Sequence, residues 1–553
     1  MIELITDYAA VEKASSLNLR EDLIYPSICL DGICTTIPVI LRKHEKEFLI
    51  SRSVEKTCIE QKGAQGMELA WYNPYFMFDD TQKAKNVEKD LPSALRKLAG
   101  DEKIRCHGDL PCGLYSALKK QLNLQRAAPQ EAPELFLYRV PKEKALAASQ
   151  ALPAEWKELA EKASAMLDGE VQQKVRPYLE DPRRTASGNL DRLMEEAGVD
   201  IVVADTPVDI QDLAGLPFRR IPQGLLALYR RGDPEINVVA REKIEGPQFI
   251  PAGTLKFREP ILNHLYREGA VGIGSNLPIS MAERLHPDWE NLKIATPVFR
   301  RWRERYAWED LPYYIVGAQA TRRAVEGSLD FAQKKLRAGE GLREIEIFRR
   351  HWTLLDEFRK DHGLAQSFNY YFANLHATSR TLYPSVPVDV PVDPRTHCIR
   401  FDTGILVFSA GGFLKAASDI GRNMELKDPG KGLYGILGRT IAEVIIPSLK
   451  PGRAGREVYR QIIDELAKHE GDLKKKGLMH EYTSLKSVYK RDVGHLLGRE
   501  EPTSLSLNEN QEGVLEEGMV GAIELPWLFG EYALGYEDMF FITASGGVNI
   551  SRE

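Results

Sequence analysis

Cysteine is scarce: six stand among 553 residues, at positions 29, 34, 58, 106, 112 and 398, with no CxxC pair. That scarcity excludes a disulfide-stapled scaffold, which a chain of this size does not need. The one grouping of cysteine with histidine, "RCHGDLPC", holds Cys106, His107 and Cys112 but lacks a second ligand pair at zinc-binding spacing. Reduced, structural thiols are expected instead. Long hydrophobic runs are also missing, so no membrane-spanning helix is expected. The opening "MIELITDYAAVEKASS" has neither a basic nor a continuous apolar region, so no signal peptide is expected and a cytoplasmic location follows. Charge of one sign is lacking as well: 74 Lys and Arg against 80 Asp and Glu give a net charge of −6. A chain so balanced has no electrostatic footprint for nucleic acid or an anionic membrane, and neither is expected as a partner.

What is present is length and alternation. The chain is too long for one core, so three or four domains are the prior. Strand-like runs such as "ICTTIPVILRK" and "KIRCHG" alternate with helical stretches near 86–99 and at "GLYSALKKQL", the pattern of an α/β unit. A second such unit begins near 187, where "NLDRLMEEAGVDIVVAD" reads as an amphipathic helix, a glycine cap at Gly198 and a buried strand from Ile201 to Ala204. "DLPCGLYSAL" in the first unit corresponds to "SNLPISMAERL" in the second, which indicates a degenerate internal duplication. After Pro312 come two long helical patterns, each followed by glycine, and then a β-rich stretch over 368–422. The expected division is 1–180, 181–311 and 312–553.

The chemistry gathers in the last division. "FDTGILVFSAGGFLKAASDIGR" carries Asp402 and Asp419, with a Gly-Gly pair between them. A two-residue turn at Ala410-Gly411 sets these aspartates directly opposite each other, on one face of a hairpin. Two buried carboxylates so close repel unless a proton or a cation lies between them. Downstream, His495 lies in "RDVGHLLG", Glu524 in the apolar run "GAIELPW" and Glu537 in "LGYEDMFFIT". A charged residue in a buried-looking strand is costly unless paired or bound to metal. Four carboxylates and one imidazole suit Mn²⁺, Fe²⁺, Co²⁺ or Zn²⁺.

These motifs, in this order, resemble the pita-bread metallohydrolases: methionine aminopeptidase, aminopeptidase P, prolidase and creatinase. "RFDTG", "SDIGR", "GHLLG", "LEEGMVGAIEL" and "YEDMFFIT" carry the resemblance over roughly 312–553. It implies an α+β fold in which a C-terminal pita-bread domain follows two creatinase-type α/β domains, as in three-domain Xaa-Pro aminopeptidases. It also implies two divalent metal ions, Mn²⁺ first, on Asp402, Asp419, His495, Glu524 and Glu537. Glu524 is then the proton acceptor in hydrolysis of a C–N bond, and a homodimer is expected. His376, in "NLHATSR", is a candidate for catalysis and substrate contact. Arg491 and Arg422 are candidate substrate contacts, with structural ion pairs as the competing reading.

The sequence also departs from the family pattern. The two aspartates stand seventeen apart where the family usually has eleven, so a longer hairpin is expected. The family's auxiliary histidines are replaced by Arg491 and Pro502, its arginine two before the last glutamate by Gly535, and its Glu-Pro by Glu524-Leu525. Xaa-Pro aminopeptidase-like hydrolysis of a short peptide is the first reading. The alternatives are a hydrolase or lyase of the same fold acting on a small amide, guanidino or ring compound, and a non-catalytic binding protein.

Overall fold

The structure is a computed structural model and describes residues 2–552 apart from 20–37, 65, 74–86, 128–133, 150–152, 182–188, 223, 257–258, 267, 305–307, 378–385, 394–395, 397, 427–432, 476–480, 483, 489–491, 500–504 and 530–531. Cys29, Cys34, His397, Arg491 and Pro502 therefore lie outside the described residues. No helix among the described residues is long and apolar enough to cross a membrane.

Two seven-stranded sheets fill the first 300 residues. In the first, Ile2–Ile5 pairs antiparallel with Val39–Lys43 and parallel with Ile104–His107. In the second, Ile201–Ala204 pairs antiparallel with Leu226–Arg230 and parallel with Val271–Ile273. Both central strands are nearly all apolar and almost wholly buried, as strands covered on both faces must be. The shared topology supports the duplication read from the sequence. The two units also dock through the corresponding loops: Pro111 bridges Pro278, and the N–H groups of Cys112 and Ile279 donate to the carbonyls of Leu277 and Leu110. The Cys112 thiol donates to the Gly274 carbonyl at 3.2 Å, and burial pushes the Cys106 and Cys112 thiols up to about 11 and about 12.

The expected boundary at 180 does not follow the sheets. Leu135–Pro141 joins the second sheet, pairing antiparallel with Glu235–Ala240. In the first sheet the corresponding neighbour of Lys46–Arg52 is the parallel strand Glu68–Tyr72. The second copy thus fills that position with a strand that precedes it in the chain.

The C-terminal region sets two four-stranded sheets against long helices. One sheet holds Ser367–Ala377, Cys398–Phe408, Leu414–Ala417 and Ile420–Glu425; the other holds Gly494–Leu496, Val520–Phe529, Tyr532–Thr543 and Gly546–Asn549. Helix Leu311–Arg337 packs on the first sheet through Ile315 and Ala318, which share a core with Ile405, Val407 and Ile420. Helix Glu344–Asp361 buries His351, 1% exposed, with its ring 5.2 Å from that of Phe401.

Burial pushes the His351 pKa from 6.5 down to about 3, against a smaller opposing effect of the Ala324 backbone. The folded state therefore resists protonation where the unfolded chain accepts it. His351's contribution to stability is complete above pH 6.5 and is lost as the pH falls from there towards 3. Urea melts between pH 4 and pH 8 should show a shallower acid-side decline in His351→Phe than in the parent chain.

Candidate metal centre

The strand Cys398–Phe408 pairs with Ile420–Glu425 so that Asp402 faces Gly421 rather than Asp419. This corrects the expected register by two residues. The hairpin does not close on a two-residue turn: the N–H of Gly412 donates to the Ser409 carbonyl, and Gly412 adopts φ +83°, a left-handed position that glycine takes without strain. A second irregularity lies at Lys415, since Val407 pairs with Ala416 and Phe408 with Leu414. An offset of two keeps side chains on their original face, so Asp402 and Asp419 still share one, as diagonal neighbours.

The longer hairpin has a structural cause. Its tip docks on helix Pro207–Ala214 of the second α/β unit, where Gln211 bonds both the N–H and the carbonyl of Leu414, at 2.9 and 2.8 Å. Phe408 and Leu414 pack on Val208. The Lys415 ammonium reaches the Ser149 carbonyl at 2.8 Å and Asp310 at 3.4 Å. Arg499 completes a buried network with Asp310 and with Asp212 of the same docking helix.

The other sheet supplies the remaining groups. Glu524 and Glu537 stand directly opposite each other, and His495 pairs with Ala522, two residues from Glu524 and on its face. His495 Nδ1 lies 3.1 Å from the Leu496 carbonyl, which makes Nδ1 the protonated nitrogen and leaves Nε2 as the electron-pair donor. That Nε2 is 3.5 Å from Asp419 Oδ2. Asp419, His495 and Glu537 each offer one ligand atom, all within 4.8 Å of one another.

Glu537 is 1% exposed, and neither of its carboxylate oxygens has a hydrogen-bond partner. Its pKa is raised well above the usual carboxylate range, by burial first and then by the charges of Asp419, Asp402 and Glu524, against which His495 works. Three of the five expected ligands, Asp419, His495 and Glu537, thus lie within reach of one another, and the charges of Asp402 and Glu524 also act on Glu537. Those three make a largely buried, oxygen-rich donor set of the kind that fits a divalent ion.

His376 lies on the same face as Asp402, buried, in the strand Ser367–Ala377 and directly opposite Arg400. Arg422, expected to touch substrate, does not point there. Its guanidinium donates to Asp538 at 2.6 Å, to Glu326 at 3.1 Å and to the Glu537 carbonyl, and it lies over the Tyr536 ring. It is one position from Gly421 and so projects to the other face, where it ties the two sheets together. Asn374, opposite Asp402, and Arg400 belong to the site face and were not singled out in the sequence. The signal was there for Arg400, since a residue two before Asp402 in a strand shares its face.

Residues 319–544 match metallopeptidase family M24. The match lies in the C-terminal region, and two α/β units precede it. No curated protein sequence matches the chain. Among solved structures, the prolidase of Pyrococcus horikoshii is similar at 18% identity and a TM-score of 0.46, over 66% of this chain and 97% of that one. The Xaa-Pro dipeptidase of Bacillus anthracis is similar at 16% and 0.47, over 67% and 98%. The N-terminal domain of FACT complex subunit SPT16 from chickpea, Cicer arietinum, is similar at 14% and 0.49, over 66% and 95%.

Proposed function

We propose that this chain is a metal-dependent hydrolase of C–N bonds, with release of the residue before proline in a short peptide as its first candidate reaction. The supporting observation is the convergence of Asp402, Asp419, His495 and Glu524 on the unpartnered carboxylate of Glu537. A divalent ion, once bound, lowers the pKa of water and polarises a carbonyl oxygen. The chain's own groups supply the rest. Glu524, less deeply buried than Glu537 and directly opposite it, is placed to accept a proton from the attacking water. Asp419 and His495 hold the centre between the two sheets. His376, on the site face, is assigned to orienting the scissile group.

Glu524→Gln is expected to lower kcat/KM by about 10²–10⁴-fold, the usual worth of a positioned acid–base group. Full turnover by that variant, with metal bound, would refute the role. A panel of Xaa-Pro peptides, small amides and guanidino compounds tests the substrate. The non-peptide reading gains from one observation: where a side chain at position 535 would lie, the Arg400 guanidinium lies instead, so this wall of the site is built differently.

A further inference from the structure

Ser418 stands between two strands and belongs to neither, since one ends at Ala417 and the next begins at Ile420. Leu406 pairs with Ala417 and Thr403 with Ile420, a single register that sets Ile405 opposite Ser418 and Gly404 opposite Asp419. In an unbroken antiparallel ladder Ile405 and Ser418 would exchange two backbone hydrogen bonds. The first is made: the Ser418 N–H donates to the Ile405 carbonyl at 2.9 Å. The second is replaced. The Ile405 N–H donates to the Ser418 hydroxyl, at 3.0 Å, while the Ser418 carbonyl lies aside over Gly404, where a Cβ would be 2.0 Å from it.

Neighbouring residues in extended chain project to opposite faces. Asp419 joins His495 and Glu537, each with one ligand atom within 4.8 Å of the others. Its N–H donates to the thioether of Met539 at 3.4 Å, on the other sheet and two residues after Glu537. Ser418 points the other way, into helix Leu311–Arg337, where its hydroxyl lies 2.7 Å from that of Thr321. Both hydroxyl residues are fully buried. Gly317, one turn earlier on the helix, permits this approach: a Cβ there would meet Val407 at 2.9 Å and Ser418 at 3.5 Å. The Ser418 hydroxyl thus ties sheet and helix together at the residue next to the ligand. If it is removed, the buried Ile405 N–H must find another acceptor. The nearest is the Ser418 carbonyl, and bringing it back rotates the peptide that carries Asp419.

We propose that Ser418 is a positioning residue for the metal centre: its hydroxyl, held by Thr321, stands in for a backbone carbonyl and so aims the Asp419 carboxylate at the ion. The proposal rests on the metal-dependent reading above. Mn²⁺ is the probe, titrated into the full chain with the free ion followed by EPR. Ser418→Ala should bind Mn²⁺ about 10–100-fold more weakly than the parent chain, the usual worth of a group that orients a metal ligand. Thr321→Val keeps the shape of the helix face and should weaken binding in the same direction. Val407→Ala loosens the same contact between helix and sheet without touching either hydroxyl, so it should melt at a lower temperature and keep the parent affinity. Parent affinity in Ser418→Ala, or in Thr321→Val where the alanine variant does not fold, would overturn the proposal and leave the hydrolase reading standing. An equal loss of affinity in Val407→Ala would do the same. No Mn²⁺ bound by the parent chain overturns both.

Discussion

Glu537→Met should remove metal-dependent turnover and make the metal-free protein more stable. The carboxyl is buried and unpartnered, and three neighbouring carboxylates raise its pKa. In the absence of a cation it contributes nothing that an apolar side chain of similar length would not. Leaving a buried polar group unsatisfied costs about 1–3 kcal/mol, so relief should raise the melting temperature of the metal-free chain by roughly 2–10 °C. The same substitution removes a ligand, so activity should fall by at least about 100-fold and added Mn²⁺ should no longer shift the melt. Thermal melts with and without Mn²⁺ check both halves. A structural acid would behave in the opposite way, since its loss would destabilise the chain with no effect on the metal response.

Arg499→Met should be among the most damaging single changes outside the centre. Arg499, Asp212, Asp310 and Lys415 are all buried, and they join the second α/β unit to the hairpin that carries both aspartates. Burial raises the Asp212 pKa, while Arg499 and Lys415 hold it down. Removing the guanidinium leaves Lys415 as the cation beside Asp212 and Asp310 among the described residues, a loss of about 3–5 kcal/mol for a broken buried pair. Denaturant melts should show this loss. Adding Asp212→Asn to the variant should recover part of it, because the penalty lies in the uncompensated carboxylate.

The four candidate acidic ligands stand out in the sequence because strand alternation and apolar surroundings make an isolated acid conspicuous. The register of the aspartates' hairpin does not. The left-handed Gly412 and the irregularity at Lys415 answer to contacts with Gln211 and Ser149, roughly two hundred and more residues away, and no local pattern reports them. The direction of Arg422 could have been read by parity, since Gly421 and Arg422 must face opposite sides of a strand. Arg400 is a different case. Its shared face with Asp402 is visible in "RFDTG", but its seat depends on an empty side-chain position in the other sheet. Leu135–Pro141 likewise finds its partner far along the chain, at Glu235–Ala240.

Co²⁺ titration of the full chain, followed by visible absorption, tests the central claim most directly. If Asp419, His495, Glu524 and Glu537 hold a cation, ligand-field bands should grow to saturation in the parent chain, the melting temperature should rise, and Asp419→Asn should lose both responses. A parent chain that binds no Co²⁺, with neither bands nor a shift in its melt, would contradict the assignment of these residues as a metal centre.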